Sequence, residues 1–470
     1  MAPNIITPKL MVQPPLDPGF VSPYLWEQAY EKLAQANDEA FTVILDILRP
    51  DGTGKRMELL SLPDDASYAS TNLFRVERLV KFLLWQVGGS LVRIDGPQAW
   101  VEALNKIYAD SGSRSFDNVT IGKQVYGEPI RFEKAQLAGI SAPKLSSEDI
   151  GGHTKGNRIG FDLGGSDRKF AAVVDGEVIF SEETPWSPYF ETDPSYQIEG
   201  IRDCIERAAK HLPRIDAIGG SAAGIYINNE PRIASLFRGL SDESLENEVR
   251  PFFRNFSDEW NGVPFRIEND GDVTALAGAM MCGEGEYLGI AMGTSLACGY
   301  VDVERRITSM LNELAFVPVD YQADGPVDEW SGDAGCGVQY FSQQAVARLA
   351  QKAGLSFDAD MGMPIILEEV QKLAEAGDER ALQIFQTIGV YLAHTLAHFS
   401  QHYAIKHVLL LGRVMSGVGG EWILKLAKEV LAAEFAELAK QIQISIPSDR
   451  LRRHGQAIAA ASLPSVVVSN

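Results

Sequence analysis

Residues 158–180 read RIGFDLGGSDRKFAAVVDGEVIF. The stretch divides into three pieces. Residues 158–162 are a short apolar run ending in the carboxylate of Asp162, and 163–167 hold Gly164, Gly165 and then Ser166. Residues 169–174 predict a second strand, and Asp175-Gly176 marks a hairpin into a third over 177–180. A Gly-Gly-Ser turn between strands, behind an Asp, can cradle phosphate. Glycines let backbone N–H groups approach phosphate oxygens, and the hydroxyl adds a donor. An Asp at the strand end can hold magnesium through water. An ordinary glycine-rich hairpin fits the same residues, so the stretch alone leaves both readings open.

A second loop of this kind lies in 287–300, YLGIAMGTSLACGY, where an apolar strand runs into Gly293-Thr294-Ser295. Between the two loops, 265–280 read FRIENDGDVTALAGAM: a strand ends in Glu268-Asn269-Asp270, and a helix is predicted from about Asp272. Residues 215–227, IDAIGGSAAGIYI, form a strand and a glycine-rich turn with Ser221 and Gly224. Residues 408–420, VLLLGRVMSGVGG, form a buried strand with a turn at Gly412.

In this order the segments resemble the ROK family of sugar kinases and sugar-responsive repressors, within the actin/hexokinase superfamily, over about residues 158–464. Asp162-Leu-Gly-Gly-Ser166 resembles the family's first phosphate motif, Glu268-Asn-Asp270 its catalytic motif and Gly293-Thr294 its second phosphate motif. The resemblance implies an α/β fold, a two-lobed actin-like ATPase (ribonuclease H-like), and ATP-dependent phosphorylation of a sugar hydroxyl with Mg2+. Asp270 would accept the hydroxyl proton, and Asn269, Glu313, Ser221 and Gly224 would line the sugar side. Asp162 would serve magnesium. Gly164, Gly165, Ser166, Lys169, Gly293, Thr294 and Gly412 would hold the nucleotide. Arg168 and Lys169 are both candidate phosphate cations, but strand alternation sends one of them away. In isolation Asp270 also reads as a helix N-cap or turn carboxylate.

The chain departs from the family in places. Residues 312–318, NELAFVP, resemble the stretch in which a Glu binds sugar and a His three residues later touches sugar and ligates zinc. Glu313 is present, but Phe316 stands at the His position, and only Cys336 remains of the cysteine cluster. One thiol makes no tetrahedral zinc site, so no zinc is expected. Ser295, Leu296, Ala297 and Cys298 follow Gly293-Thr294 where glycines are preferred, and Arg413-Val414 follow Gly412. Those bulkier residues keep a second function open: a non-catalytic or weakly catalytic sugar-binding regulator.

The 470 residues suit two or three domains. A net charge of -21 disfavours nucleic acid and anionic membranes, and the basic run 450–453 is short. Cys204, Cys282, Cys298 and Cys336 form no CxxC pair, which fits a reducing compartment. No signal peptide or membrane span is read, so a cytoplasmic protein is expected, with sugar and ATP as partners and a homodimer as assembly. Four segments are expected: an extended arm over 1–23, an N-terminal α+β region over 24–150, a first lobe over 151–285 and a second over 286–470. Within 24–150, helices are predicted near 24–36, 72–87 and 97–108, and strands near 41–48, 56–62 and 90–94. Two short strands are predicted within 119–132. The 72–87 helix with the following Gly88-Gly89 faintly resembles the start of a winged helix, but the strand near 90–94 intervenes and no second helix with a following recognition helix appears. The 145–157 segment reads as a linker.

Overall fold

The computed structural model describes residues 6–145, 149–358, 360–447 and 455–466; the 450–453 run and part of the 145–157 linker lie outside them. The chain forms two compact units that do not follow chain order. One gathers residues 1–146, 290–297 and 310–445, the other 147–289, 298–309 and 446–470.

In the first unit, β1 (Phe41–Leu48), β2 (Gly54–Ser61), β3 (Leu91–Asp95) and β4 (Arg131–Lys134) form a sheet ordered β2-β1-β3-β4. Asp51-Gly52 makes the β1–β2 hairpin: Gly52 adopts φ +81°, and Asp51 Oδ1 accepts the Thr53 N–H. The helix Ala69–Gln86 carries Val76, Val80, Leu83 and Leu84 at helical spacing, all buried. Trp26 and Tyr30 of the helix Pro23–Gln35 pack with Leu62 and with Tyr321, far along the chain. Residues 119–132 do not form two strands. A π-helix spans Asn118–Val125, followed by the single strand β4. Ile121 and Val125, four apart, are buried while Val119 is exposed, a helical spacing and not an alternating one, and Asn118 Oδ1 accepts the Ile130 N–H.

The second unit is built on β5 (Asn157–Leu163), β6 (Asp167–Val174), β7 (Glu177–Pro185), β8 (Ala217–Ala222) and β11 (Phe265–Asn269), ordered β11-β8-β5-β6-β7. The ribbon β9 (Ile225–Ile227) and β10 (Glu230–Ile233) lies in the chain between β8 and β11. β5, β6 and β7 are antiparallel, whereas β5, β8 and β11 run parallel. β5 and β8 are buried on both faces and read as nearly continuous apolar or glycine runs, whereas the edge strand β11 is only partly buried. Gly160 and Gly219 sit opposite each other in β5 and β8. A Cβ on either would come within 2 Å of a carbonyl oxygen, of Ala457 or Ala460, so only glycine lets the helix Gln456–Ala461 lie on the strands. Phe161, Phe253, Phe256 and Phe265 fill one face, with Phe256 and Phe265 stacked at 4.0 Å.

The strands β12 (Tyr287–Met292), β13 (Leu296–Val301), β14 (His407–Leu411) and β15 (Gln443–Ser445) form a further sheet, ordered β13-β12-β14-β15. The helix Glu379–Phe399 is buried along nearly its whole length. Among the described residues no helix is long and apolar enough to cross a membrane.

Candidate functional site

The parallel register sets Asp162, Ser221 and Glu268 side by side, with Leu163, Ala222 and Asn269 one residue further on. Three loops therefore leave one edge of the sheet together: 164–166, 223–224 and the head of the helix Asp270–Cys282. The carboxyl edge of adjacent parallel strands is where an α/β sheet presents groups to a ligand.

Asp162 is 8% exposed, and the buried Ser221 hydroxyl donates to its Oδ1 at 2.6 Å. Burial pushes the Asp162 carboxyl up to about 6 against that bond; the Asp270 charge adds to the rise and Lys169 opposes it. Lys169 is the cross-strand partner of Asp162 and shares its face. Arg168 points to the other face, where its guanidinium donates to the Gly200 carbonyl and stands 3.4 Å from Asp203. Between the two cations, alternation leaves Lys169 on the Asp162 side.

The 164–166 turn is held from outside itself. Trp186 Nε1 donates to the Gly164 carbonyl at 2.6 Å, and the Trp186 N–H donates to the Ser166 carbonyl at 3.1 Å. The Ser166 hydroxyl donates to Asp167 Oδ2 at 2.7 Å, and Lys169 Nζ is 3.5 Å from Asp167 Oδ1. The hydroxyl read as a phosphate donor is thus engaged by a carboxylate on the turn.

Asn269 caps the helix that follows β11, which begins at Asp270, two residues earlier than expected. Its Oδ1 accepts the Gly271 N–H at 2.7 Å, and its Nδ2 donates to the Gly224 carbonyl at 2.8 Å. Next to it, a Cβ on Gly271 would lie 2.3 Å from the Cys298 carbonyl oxygen, and Asp272 Oδ1 accepts the Tyr300 N–H at 2.9 Å. The head of the helix is therefore locked to β13 on one side and to the 224 turn on the other. Burial raises the Asp270 carboxyl above its ordinary value, opposed by hydrogen bonds from backbone N–H groups.

Sequence reasoning missed Tyr226. Its ring is buried, its hydroxyl has no hydrogen-bond partner, and burial and then the Asp270 charge push its pKa up. Its place two residues after Gly224 was the available signal.

The remaining candidates belong to the other unit. Gly293 and Thr294 turn between β12 and β13; the Gly293 carbonyl accepts the Gln343 N–H at 2.9 Å, and Thr294 is exposed. Gly412, at φ +97°, follows the neighbouring strand β14, and a Cβ there would lie 2.3 Å from the Met292 carbonyl oxygen. Glu313 is half-buried, and its backbone N–H donates to the Trp85 carbonyl at 3.0 Å. Phe316 packs on Trp85, with ring centroids 4.4 Å apart. The Cys336 thiol is buried and pushed up to about 12 by that burial, so it stays protonated.

Two constellations thus emerge. Asp162, Gly164, Gly165, Ser166, Lys169, Ser221, Gly224, Asn269 and Asp270 cluster at one sheet edge. Gly293, Thr294 and Gly412 share adjacent strand ends in the other unit, which also holds Glu313. The family model described as "ROK family" matches residues 158–458. The chain belongs to the ROK family.

No curated protein matches this ROK chain. Among solved structures, a ROK hexokinase from Thermus thermophilus is 20% identical at a TM-score of 0.50, covering 65% of this chain and 96% of that one. A proposed N-acetylmannosamine kinase from Listeria monocytogenes is 14% identical at a TM-score of 0.50, covering 65% and 97%. At such identities the likeness establishes the fold: the actin-like, ribonuclease H-like α/β fold of ROK proteins, here with an added N-terminal α+β region.

Proposed function

We propose that this ROK protein transfers a phosphoryl group from ATP to a sugar hydroxyl, with Asp270 as general base. The observation that carries the proposal is the setting of Asp270. It heads a helix, Asn269 fixes the adjoining backbone, and burial raises its pKa. A carboxylate with a raised pKa is a better proton acceptor near neutral pH than an exposed one. The rest of phosphoryl transfer is positioning and charge neutralisation.

The residues at the sheet edge fit a magnesium–nucleotide. Asp162 supplies carboxylate oxygens, Lys169 on the same face supplies a cation, and Gly164 and Gly165 give the turn a backbone without side chains of its own, the Cβ position of Gly165 lying 2.0 Å from the Tyr189 hydroxyl. Bound magnesium would offset phosphate charge. Gly293, Thr294 and Gly412 are assigned to the nucleotide in this reading, and Glu313, Ser221 and Gly224 to the sugar. Asn269 spends its amide on Gly271 and Gly224, so its first task is to hold Asp270 in place.

One observation favours the regulator reading: Asp167 engages the Ser166 hydroxyl and sets a carboxylate beside the turn. Coupled ATP consumption across hexoses, amino sugars and polyols decides between the two. Turnover that depends on Asp270 supports the kinase. No turnover, together with a raised melting temperature on adding a sugar, makes the protein a sugar-binding regulator.

A further inference from the structure

We propose that the N-terminal region is the positioning element of the Glu313 segment, acting through the helix Ala69–Gln86 and its buried lysine. The inference deepens the proposed function, because it rests on Glu313 as a sugar ligand.

The last carbonyls of a helix have no partner within the helix and must be satisfied elsewhere. Here the Trp85 carbonyl accepts the Glu313 N–H at 3.0 Å, and the Gln86 carbonyl accepts the Asn312 N–H at 3.1 Å. Asn312 adopts φ +53°, a left-handed conformation that asparagine tolerates better than other non-glycine residues. The Tyr403 hydroxyl, donating to Asn312 Oδ1 at 2.8 Å, also holds it. Four residues after Asn312, Phe316 packs against Trp85 and Phe116, with ring centroids at 4.4 Å and 5.2 Å.

The same helix secures a second stretch. Lys81 is fully buried, with Nζ 3.0 Å from Asp117 and 3.2 Å from Asp333. Arg78 and Arg114 reach Asp333 at 3.0 Å and 2.7 Å, so three N-terminal cations converge on one buried carboxylate. Burial alone would raise the Asp333 carboxyl, but Arg78 and Lys81 outweigh it and hold it below the usual range. Trp85 Nε1 donates to Asp117 at 2.5 Å, which joins the charge network to the ring that carries Phe316. Buried ion pairs contribute little net stability compared with apolar packing, whereas removing one partner is strongly disruptive. Their effect here is to specify geometry: residues 312–316 and Asp333 are both fixed from the N-terminal region.

The test uses the full-length protein and hydrogen–deuterium exchange of the wild type, Lys81→Met and Arg114→Met. Lys81→Met leaves two buried carboxylates short of a partner and can fail to fold. Arg114, 12% exposed at the rim of the network, supplies the milder variant. The expected result is exchange at least tenfold faster over 310–318 and 330–337, with β5 and β8 unchanged. For a sugar that the consumption assay identifies, its KM should rise about tenfold while kcat and the KM for ATP stay within twofold. Unchanged exchange over 310–318, equal acceleration across the whole chain, or an unchanged sugar KM would overturn the proposal. If no sugar is turned over, the exchange result still decides the positioning role, and the missing turnover counts against the kinase alone.

Discussion

Ser221 donates its hydroxyl to Asp162 Oδ1 across 2.6 Å, tying β8 to β5 where both strands leave the sheet. The bond lowers the Asp162 pKa, while burial and the Asp270 charge raise it to about 6. Ser221→Ala removes the lowering contribution, so the Asp162 pKa should climb. The acid limb of the pH–rate profile is expected to move upward. The carboxylate left short of a partner should cost about 1–3 kcal/mol near pH 8, read from urea unfolding. A limb that stays in place would detach Asp162 from the rate.

Asp162 also predicts a stability trend. Its folded pKa of about 6 lies above the ordinary 3.8, so the fold favours the protonated form. That contribution is fully present below the ordinary pKa and is lost as pH rises through about 6. The Asp162→Asn variant cannot ionise there. Relative to wild type it should gain roughly 2.4 kcal/mol between pH 4 and pH 8. Denaturant midpoints for both proteins across that range check the sign, and a constant difference would show that Asp162 does not titrate there. The same variant should require more magnesium for turnover.

Asp270→Asn keeps size and polarity but removes the proton acceptor. The expected loss in kcat is about a hundredfold to ten-thousandfold, with sugar affinity retained by calorimetry. Glu313→Gln should do the reverse, weakening sugar binding with a smaller effect on kcat, because a charged acceptor becomes a neutral one. Wild-type turnover by Asp270→Asn on a verified substrate would place the base elsewhere.

Tyr226→Phe removes a buried hydroxyl that has no hydrogen-bond partner. An unsatisfied buried donor destabilises the fold, so the variant should melt no lower than wild type and up to a few degrees higher. If that hydroxyl serves a sugar beside Asp270, the sugar KM should rise in the same variant. A lower melting temperature with unchanged KM would make the hydroxyl structural.

Asn269→Ala removes the helix cap and the bond to Gly224 together. Losing the cap should cost about 1 kcal/mol, and releasing the head of the helix should lower kcat through Asp270. Asn269→Asp keeps a capping oxygen but cannot donate to Gly224. It should therefore restore most of the stability and less of the rate, which separates capping from positioning.

The sequence by itself determined the local devices. The Gly-Gly turn after Asp162, the strand ending in Asn269-Asp270 and the Gly293-Thr294 turn are short-range patterns of apolar runs and glycines, and their order carried the ROK assignment. Alternation along β6 said that Arg168 and Lys169 part ways, but the register against β5 decided which one joins Asp162. The unpartnered hydroxyl of Tyr226 and the pKa of Asp162 depend on burial and on neighbours tens of residues away. No local pattern encodes those. The fate of the N-terminal region was legible least. No sequence pattern marked Lys81 or Arg78, and only the tertiary structure buries them against Asp117 and Asp333. A buried charge is tolerated where a partner meets it, and here one of those partners, Asp333, lies some 250 residues away along the chain.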